Sequence, residues 1–112
     1  MDRWIVDTTH IEEWLDQLSN DDYDNVLAAL EFLEELGPGC GRPFVDTVHQ
    51  SRHSNMKELR PRGGNIRILF AFDPKRVAIT LLAGDKTGSW KKWYRKNIPI
   101  ADDRFDAHLR KL

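Results

Sequence analysis

Three cationic side chains fall at the ends of neighbouring predicted strands. Arg60 ends one apolar stretch, Arg67 begins the next after a short turn, and Lys86 follows the end of the third. Antiparallel pairing would bring side chains of adjacent strands to one patch of the sheet. Arginine suits a phosphate, because its planar fork binds two oxygens and its charge is permanent. The spacing therefore predicts a phosphate-binding cradle that contains Arg60, Arg67 and Lys86.

Each of the three cations also has an ordinary structural interpretation. Arg60, near a turn, and Lys86, in a polar loop, could simply be solvated. Arg67 differs because it interrupts the otherwise apolar run 66–72, and a buried charge without a partner is costly. That cost favours a functional role for Arg67.

The stretch 90–96 mixes aromatic and basic residues. Aromatic rings stack on unpaired bases while cations bind phosphates, so this pattern is typical of a surface for single-stranded RNA. The aromatic residues also have the i, i+3, i+4 spacing of a helical core stripe, so at least one tryptophan is expected in the core. The candidate RNA contacts are basic residues and one tyrosine: Lys57, Lys91, Lys92, Tyr94 and Arg95.

Two histidines, His49 and His53, are four residues apart, a spacing that could hold a metal ion on a helix. The residues between them show no helical pattern and no third ligand is evident, so we expect neither a metal nor another cofactor. An alternative for His53 is an acid–base group, since it lies just ahead of the segment that ends at Arg60. Cys40 is the only cysteine, which excludes an intrachain disulfide.

The net charge of −1 conceals two halves of opposite sign. Residues 1–56 contain 3 Lys/Arg and 12 Asp/Glu, a net charge of −9, whereas residues 57–112 contain 14 and 6, a net charge of +8. The basic half suits a polyanion, although the two halves could equally pair with each other. No apolar run is long enough to span a bilayer and the acidic N-terminus is unlike a signal peptide, so we expect a cytoplasmic protein.

Hydrophobic periodicity predicts one α+β domain over residues 1–112, beginning with a short strand at 4–6. Two amphipathic helices follow. Thr8 or Thr9 should cap the first, with Glu12 following Thr9 at capping-box spacing, and the second should run from near Asp22 to Leu36.

A weak strand near 44–48 and three β-prone runs at 56–59, 66–72 and 77–82 come next, with tight turns between the last three. The segment from Trp90 reads as a helix that is interrupted or restarted around Pro99. The expected architecture is an N-terminal αα-hairpin packed on a curled antiparallel sheet, with a C-terminal helix and the helices against one face.

Four short motifs in a fixed order resemble the RelE/ParE superfamily of toxins, and within it the HigB-like branch of phage-derived Gp49-like proteins. They read KELRP at 57–61, IRILFAFD at 66–73, ITLLAGDK at 79–86 and IADDR at 100–104. The sequence departs from the pattern where many relatives have two adjacent lysines, because only Lys86 stands there. The C-terminal histidine or tyrosine that some members use in cleavage has no evident counterpart.

The resemblance implies a RelE-like fold and the toxin of a type II toxin–antitoxin system. It further implies a metal-independent, ribosome-dependent mRNA endonuclease with Arg60, Arg67 and Lys86 as catalytic residues. Its partners would be messenger RNA in the ribosome and a HigA-like antitoxin with a helix-turn-helix domain. Two alternatives stay open: a ParE-like inhibitor of DNA gyrase, which has the same fold, and a non-catalytic RNA- or partner-binding module that uses residues 90–96.

Overall fold

The structure, a computed structural model, describes residues 3–85 and 88–112. The described part contains five strands and three α-helices: β1 Val6–Asp7, α1 Glu12–Asp16, α2 Asn20–Leu36, β2 Val45–Thr47, β3 Lys57–Leu59, β4 Ile66–Phe72, β5 Ala78–Asp85 and α3 Trp90–Arg110. Lys86, a predicted catalytic residue, lies outside the described residues.

The strands form one sheet in the order β1-β5-β4-β3-β2. All neighbours pair antiparallel except β1, which pairs parallel with β5 through Val6 and Ala78. The register between β4 and β5 shifts at Leu69 and Phe70, and such a bulge bends a sheet. The predicted α+β fold with a curled sheet is confirmed, with one parallel strand at its edge.

Strand β4 has apolar side chains on both faces of the sheet. Ile66, Ile68 and Phe70 pack with α2 in one core cluster, whereas Leu69 and Ala71 pack with α3 in a second. The expectation that the helices cover a single face is therefore wrong. The physical reason is visible in the sequence, because a strand that is apolar at nearly every position must be buried on both sides.

The first helix is shorter than its apolar stripe suggests, since α1 follows a 3₁₀ turn at Thr9–Ile11. The predicted capping box is wrong: the Thr9 amide and hydroxyl both donate to Asp7, at 2.9 and 2.7 Å. Asp7, two residues before Thr9, takes the Thr9 amide that a capping box would pair with Glu12.

The second helix has clear signals at both ends. The Ser19 hydroxyl accepts a hydrogen bond from the Asp22 amide at 3.2 Å, and Gly37 ends the helix with a φ of 56°. Ser/Thr at the N-cap and a left-handed glycine after the last turn are the usual boundaries of a helix.

The third helix, α3, runs unbroken through Pro99, so the predicted interruption is wrong. Proline removes one backbone hydrogen bond, but Ile98, Ala101 and Phe105 on the same helix are buried against the sheet and offset that loss. None of the helices in the described residues is long and apolar enough to span a membrane.

Candidate active site

Pairing of β3 with β4 brings Arg60 and Arg67 together. The register that sets Leu59 opposite Ile68 puts the next pair, Arg60 and Arg67, on the face of the sheet that α3 covers. Glu58 lies two residues before Arg60, so its side chain points to the same face. The Glu58 side chain is buried, with the residue only 5% exposed.

Glu58 is the centre of a hydrogen-bonded cluster. Its Oε1 accepts from Arg60 through Nη2 at 2.6 Å and Nε at 3.1 Å, and its Oε2 accepts from the Tyr94 hydroxyl at 2.5 Å. The Nε of Arg67 lies 4.0 Å from the same Oε2. We call Glu58, Arg60, Arg67 and Tyr94 the Glu58 cluster. The Glu58 carboxylate offsets one guanidinium charge, and a second carboxylate, Asp46, lies 3.4 Å from Arg60 Nη2.

The cluster fixes the protonation of its donors. Burial and the hydrogen bond to Glu58 raise the pKa of Tyr94 to about 12, so its phenol keeps the proton at neutral pH. The hydrogen bond to Glu58 also raises the pKa of Arg60. The site therefore offers permanent cations and one neutral hydroxyl donor.

Arg67 is more buried than Arg60 and has different partners. Its Nη1 donates to the carbonyl oxygens of Ile66 at 2.9 Å and Gly64 at 3.3 Å, and its guanidinium carbon lies 4.7 Å from the centre of the Trp90 ring. The Arg67 side chain is 16% exposed, against 34% for Arg60. The Nε of Arg67 is buried without a hydrogen-bond partner in the described part of the chain.

Trp93 packs against the strand that lies beside Arg67. Trp93 is a partly buried residue of α3 that packs against the core cluster, as expected of one tryptophan of the aromatic stretch. Its indole lies so close to Gly84 that a Cβ there would collide with Trp93 Nε1. Gly84 is the β5 residue opposite Arg67, so the glycine lets α3 approach the strand that carries the arginine.

Two grooves that share lining residues open beside the cluster. One, of about 240 Å³, is lined by Glu58, Arg60 and Tyr94 together with His49 and Gln50. A second, of about 460 Å³, shares Gln50 and Tyr94 and extends along α3 to Lys91, Arg95, Ile98 and Pro99. Three of the predicted RNA contacts, Lys91, Tyr94 and Arg95, thus border the same surface as the two arginines.

The other two predicted RNA contacts lie elsewhere. Lys57 projects to the opposite face of the sheet, because it is one residue before Glu58, and its Nζ donates to Thr47 Oγ1 at 2.8 Å. Lys92 lines a separate groove on the other side of α3, with Asp85 and Trp93.

The histidines do not join the Glu58 cluster as a pair. His53 Nε2 lies 2.7 Å from Asp106 Oδ1 on α3, and its ring packs edge-on against Phe105. Among residues 3–85 and 88–112, no group of three His, Cys, Asp or Glu side chains is arranged to hold a metal ion.

Glu58 is the residue of the site that sequence reasoning missed. The usable signal was its position two residues before Arg60 in a strand, which places both side chains on one face. A carboxylate there binds the arginine instead of facing solvent.

A curled, largely antiparallel five-stranded sheet with helices on both faces and a C-terminal helix defines the fold as RelE-like. The family of phage-derived Gp49-like proteins matches residues 13–106.

Two relatives from Mycobacterium tuberculosis strain H37Rv agree with this match. A candidate toxin named HigB3 is 57% identical over 105 residues, which cover 94% of this chain and 92% of HigB3. A candidate toxin named HigB2 is 52% identical over 109 residues, which cover 95% of this chain but 54% of HigB2, so the chain spans about half of that relative's length. The chain therefore belongs to the Gp49-like family and to its HigB-like branch of toxins.

Proposed function

We propose that this chain is the toxin of a toxin–antitoxin pair and that it cuts messenger RNA in the ribosome at the Glu58 cluster. The observation that carries the proposal is the convergence of Arg60 and Arg67 on one buried carboxylate beside an open groove. A shallow site on a small domain agrees with a substrate that the ribosome holds in place.

The reaction needs three things from the protein. As the 2′-oxygen of RNA bonds to phosphorus, its proton must be accepted, the charge on the phosphoryl oxygens must be stabilised, and the leaving 5′-oxygen must be protonated. The products are a 2′,3′-cyclic phosphate and a 5′-hydroxyl end. Arg60 and Arg67 supply the charge stabilisation, because a guanidinium fork matches two phosphate oxygens and never loses its proton.

Glu58 and Tyr94 supply the proton transfers. When a phosphate draws Arg60 away from Glu58, the freed carboxylate accepts the proton of the 2′-hydroxyl. Tyr94, a neutral phenol with a pKa of about 12, donates its proton to the 5′-oxygen. The 2.5 Å hydrogen bond between them lets Glu58 then return a proton to Tyr94, so the cycle closes without a metal ion.

The test is incubation of the purified protein with translating ribosomes and a defined message, followed by primer extension. New 5′ ends in phase with the codons support the proposal. Stalled gyrase–DNA complexes in a parallel assay, without new RNA ends, would instead support a ParE-like gyrase inhibitor. Binding of RNA with neither outcome would indicate a non-catalytic module.

A further inference from the structure

A groove along α3 borders the reacting groups, because it shares Tyr94 with the Glu58 cluster. Gln50 and Tyr94 line both this groove and the smaller one that contains Glu58 and Arg60. We call it the Gln50 groove. It meets the smaller groove at the side chains of Gln50 and Tyr94.

The outer wall of the Gln50 groove is a loop that is fastened to α3. Asp102, only 2% exposed, accepts hydrogen bonds from the Ser51 hydroxyl and from the Arg52 amide, the latter at 3.1 Å. The Arg52 guanidinium bonds to Asp106 at 2.6 Å and to Asp103 at 3.0 Å. Gln50 therefore lies next to a loop that hydrogen bonds to α3 hold in place.

The lining of the groove combines three kinds of group. Ile98 and Pro99 with the Tyr94 ring form an apolar floor against which a flat base can lie. Lys91 and Arg95 are exposed cations one turn apart, and neither takes part in an ion pair of the described residues. Gln50 is exposed, and its amide offers a donor and an acceptor together.

We infer that the Gln50 groove binds one unpaired nucleotide next to the scissile phosphate and that Gln50 reads the edge of its base. Lys91 and Arg95 bind the flanking phosphates, and the apolar floor packs against the base. The volume of about 460 Å³ lies in the range of small-ligand pockets. This inference rests on the proposed function for its substrate class and adds the residue that selects the sequence to be cut.

The first experiment measures binding without cutting. Fully 2′-O-methylated trinucleotides of A, C, G and U, which lack the attacking hydroxyl, are titrated into the ¹⁵N-labelled protein and followed by NMR. We expect the largest shifts at residues 49–52 and 94–99, with one base bound about fivefold more tightly than the others. Hexaglutamate serves as an acidic-peptide control and should not reproduce these shifts.

Matched variants assign the binding to this groove. Lys91→Ala with Arg95→Ala should weaken all four trinucleotides by roughly tenfold, whereas Arg110→Ala with Lys111→Ala, an equal loss of charge, should not. Gln50→Ala should remove the preference among bases, and Gln17→Ala, which changes the other glutamine, should keep it.

The outcomes separate this inference from the proposed nuclease. Shifts confined to the Lys92 side of α3, no shifts at all, or equal shifts with hexaglutamate would overturn the inference, even if the wild-type protein cuts RNA. Groove binding with base preference in a protein that makes no cuts would support the inference and contradict the proposed cleavage. In a cutting assay, Gln50→Ala should broaden the distribution of bases beside the cut.

Discussion

Glu58 changes what the two arginines can do. The sequence suggests a cradle of bare cations, but in the structure Arg60 is already bonded to a carboxylate at 2.6 Å. A phosphate must compete with Glu58 for this guanidinium, and in doing so it uncovers a carboxylate. Arg67 instead stacks on Trp90 and bonds to backbone carbonyls, so it has no hydrogen-bonded carboxylate among the described residues for a phosphate to displace.

The raised pKa of Tyr94 is directly measurable. The difference in tyrosinate absorbance between the wild-type protein and Tyr94→Phe isolates Tyr94 from Tyr23, and we expect little difference up to about pH 11, because the pKa of Tyr94 is about 12. Since the folded-state pKa lies above the ordinary value of about 10, the associated stability is present below pH 10 and is lost as the pH rises towards 12.

Glu58→Gln provides the control for this titration. Replacing the carboxylate with a neutral amide removes the charge that opposes ionisation of the phenol, so the pKa of Tyr94 should fall towards its ordinary value. A wild-type difference spectrum that titrates near pH 10, unchanged by Glu58→Gln, would show that the Tyr94–Glu58 hydrogen bond does not exist in solution.

The placement of Arg60 and Arg67 could be predicted because alternation along a strand and a short turn fix the register. The same alternation sends Lys57 and Glu58 to opposite faces, so the lysine lies away from the two arginines while the carboxylate, which the sequence analysis overlooked, joins them. The partner of Glu58 on α3, Tyr94, lies 36 residues away. Pairing at that separation depends on how the helix packs, which local pattern does not encode.

At the scale of elements, α3 makes most of the contacts that the local sequence pattern does not predict. Its first half faces the Glu58 cluster, and its second half holds the loop at 51–53 through Asp102 and Asp106. The positions of the strands and of α2 can be predicted from hydrophobic periodicity and turn residues. The continuity of α3 through Pro99 cannot be predicted in this way, because burial of the surrounding residues in the tertiary fold outweighs the local preference of proline.

Asp102→Ala tests whether α3 fastens the loop. It removes the buried acceptor for the Ser51 hydroxyl and the Arg52 amide, so the free energy of unfolding should fall by about 1–3 kcal/mol. Asp103→Ala is the matched control, because the Asp103 side chain is 75% exposed, and its effect should stay within about 0.5 kcal/mol. Urea unfolding measures both; equal small effects would mean that Asp102 does not hold the loop.

At the scale of the whole molecule, the two oppositely charged halves pair at some points, such as Arg60 with Asp46, but in the described residues the acidic side chains of α2 do not pair with the basic half. Helix α2 contains six acidic residues and no Lys or Arg. Among the ion pairs of the described residues, α2 takes part only through Glu35, which lies 3.4 Å from Arg3, itself in the acidic half. The acidic surface of α2 therefore does not neutralise the basic half, and it also exposes the apolar side chains of Tyr23, Phe32 and Leu36. This surface is free for a basic partner.

We expect the antitoxin to contact α2 and leave the Glu58 cluster at least partly uncovered. Reversing Glu31, Glu34 and Glu35 to Lys should then slow association by about tenfold at low salt and weaken its salt dependence. Surface plasmon resonance with the cognate antitoxin measures both effects. If these reversals leave affinity unchanged while Arg60→Glu and Arg67→Glu abolish binding, the antitoxin instead neutralises the toxin by covering its active site.

The most direct test of the central proposal is the rate at which single-arginine variants cut a ribosome-bound message. Arg60→Ala and Arg67→Ala should each reduce the rate by about 10²–10³ while circular dichroism shows an intact fold, because each removes a charge that stabilises the transition state. Arg62→Ala, which changes an exposed arginine in the turn between them, should cut at close to the wild-type rate. Folded Arg60→Ala and Arg67→Ala proteins that cut as fast as the wild type would contradict the assignment of the Glu58 cluster as the site of RNA cleavage.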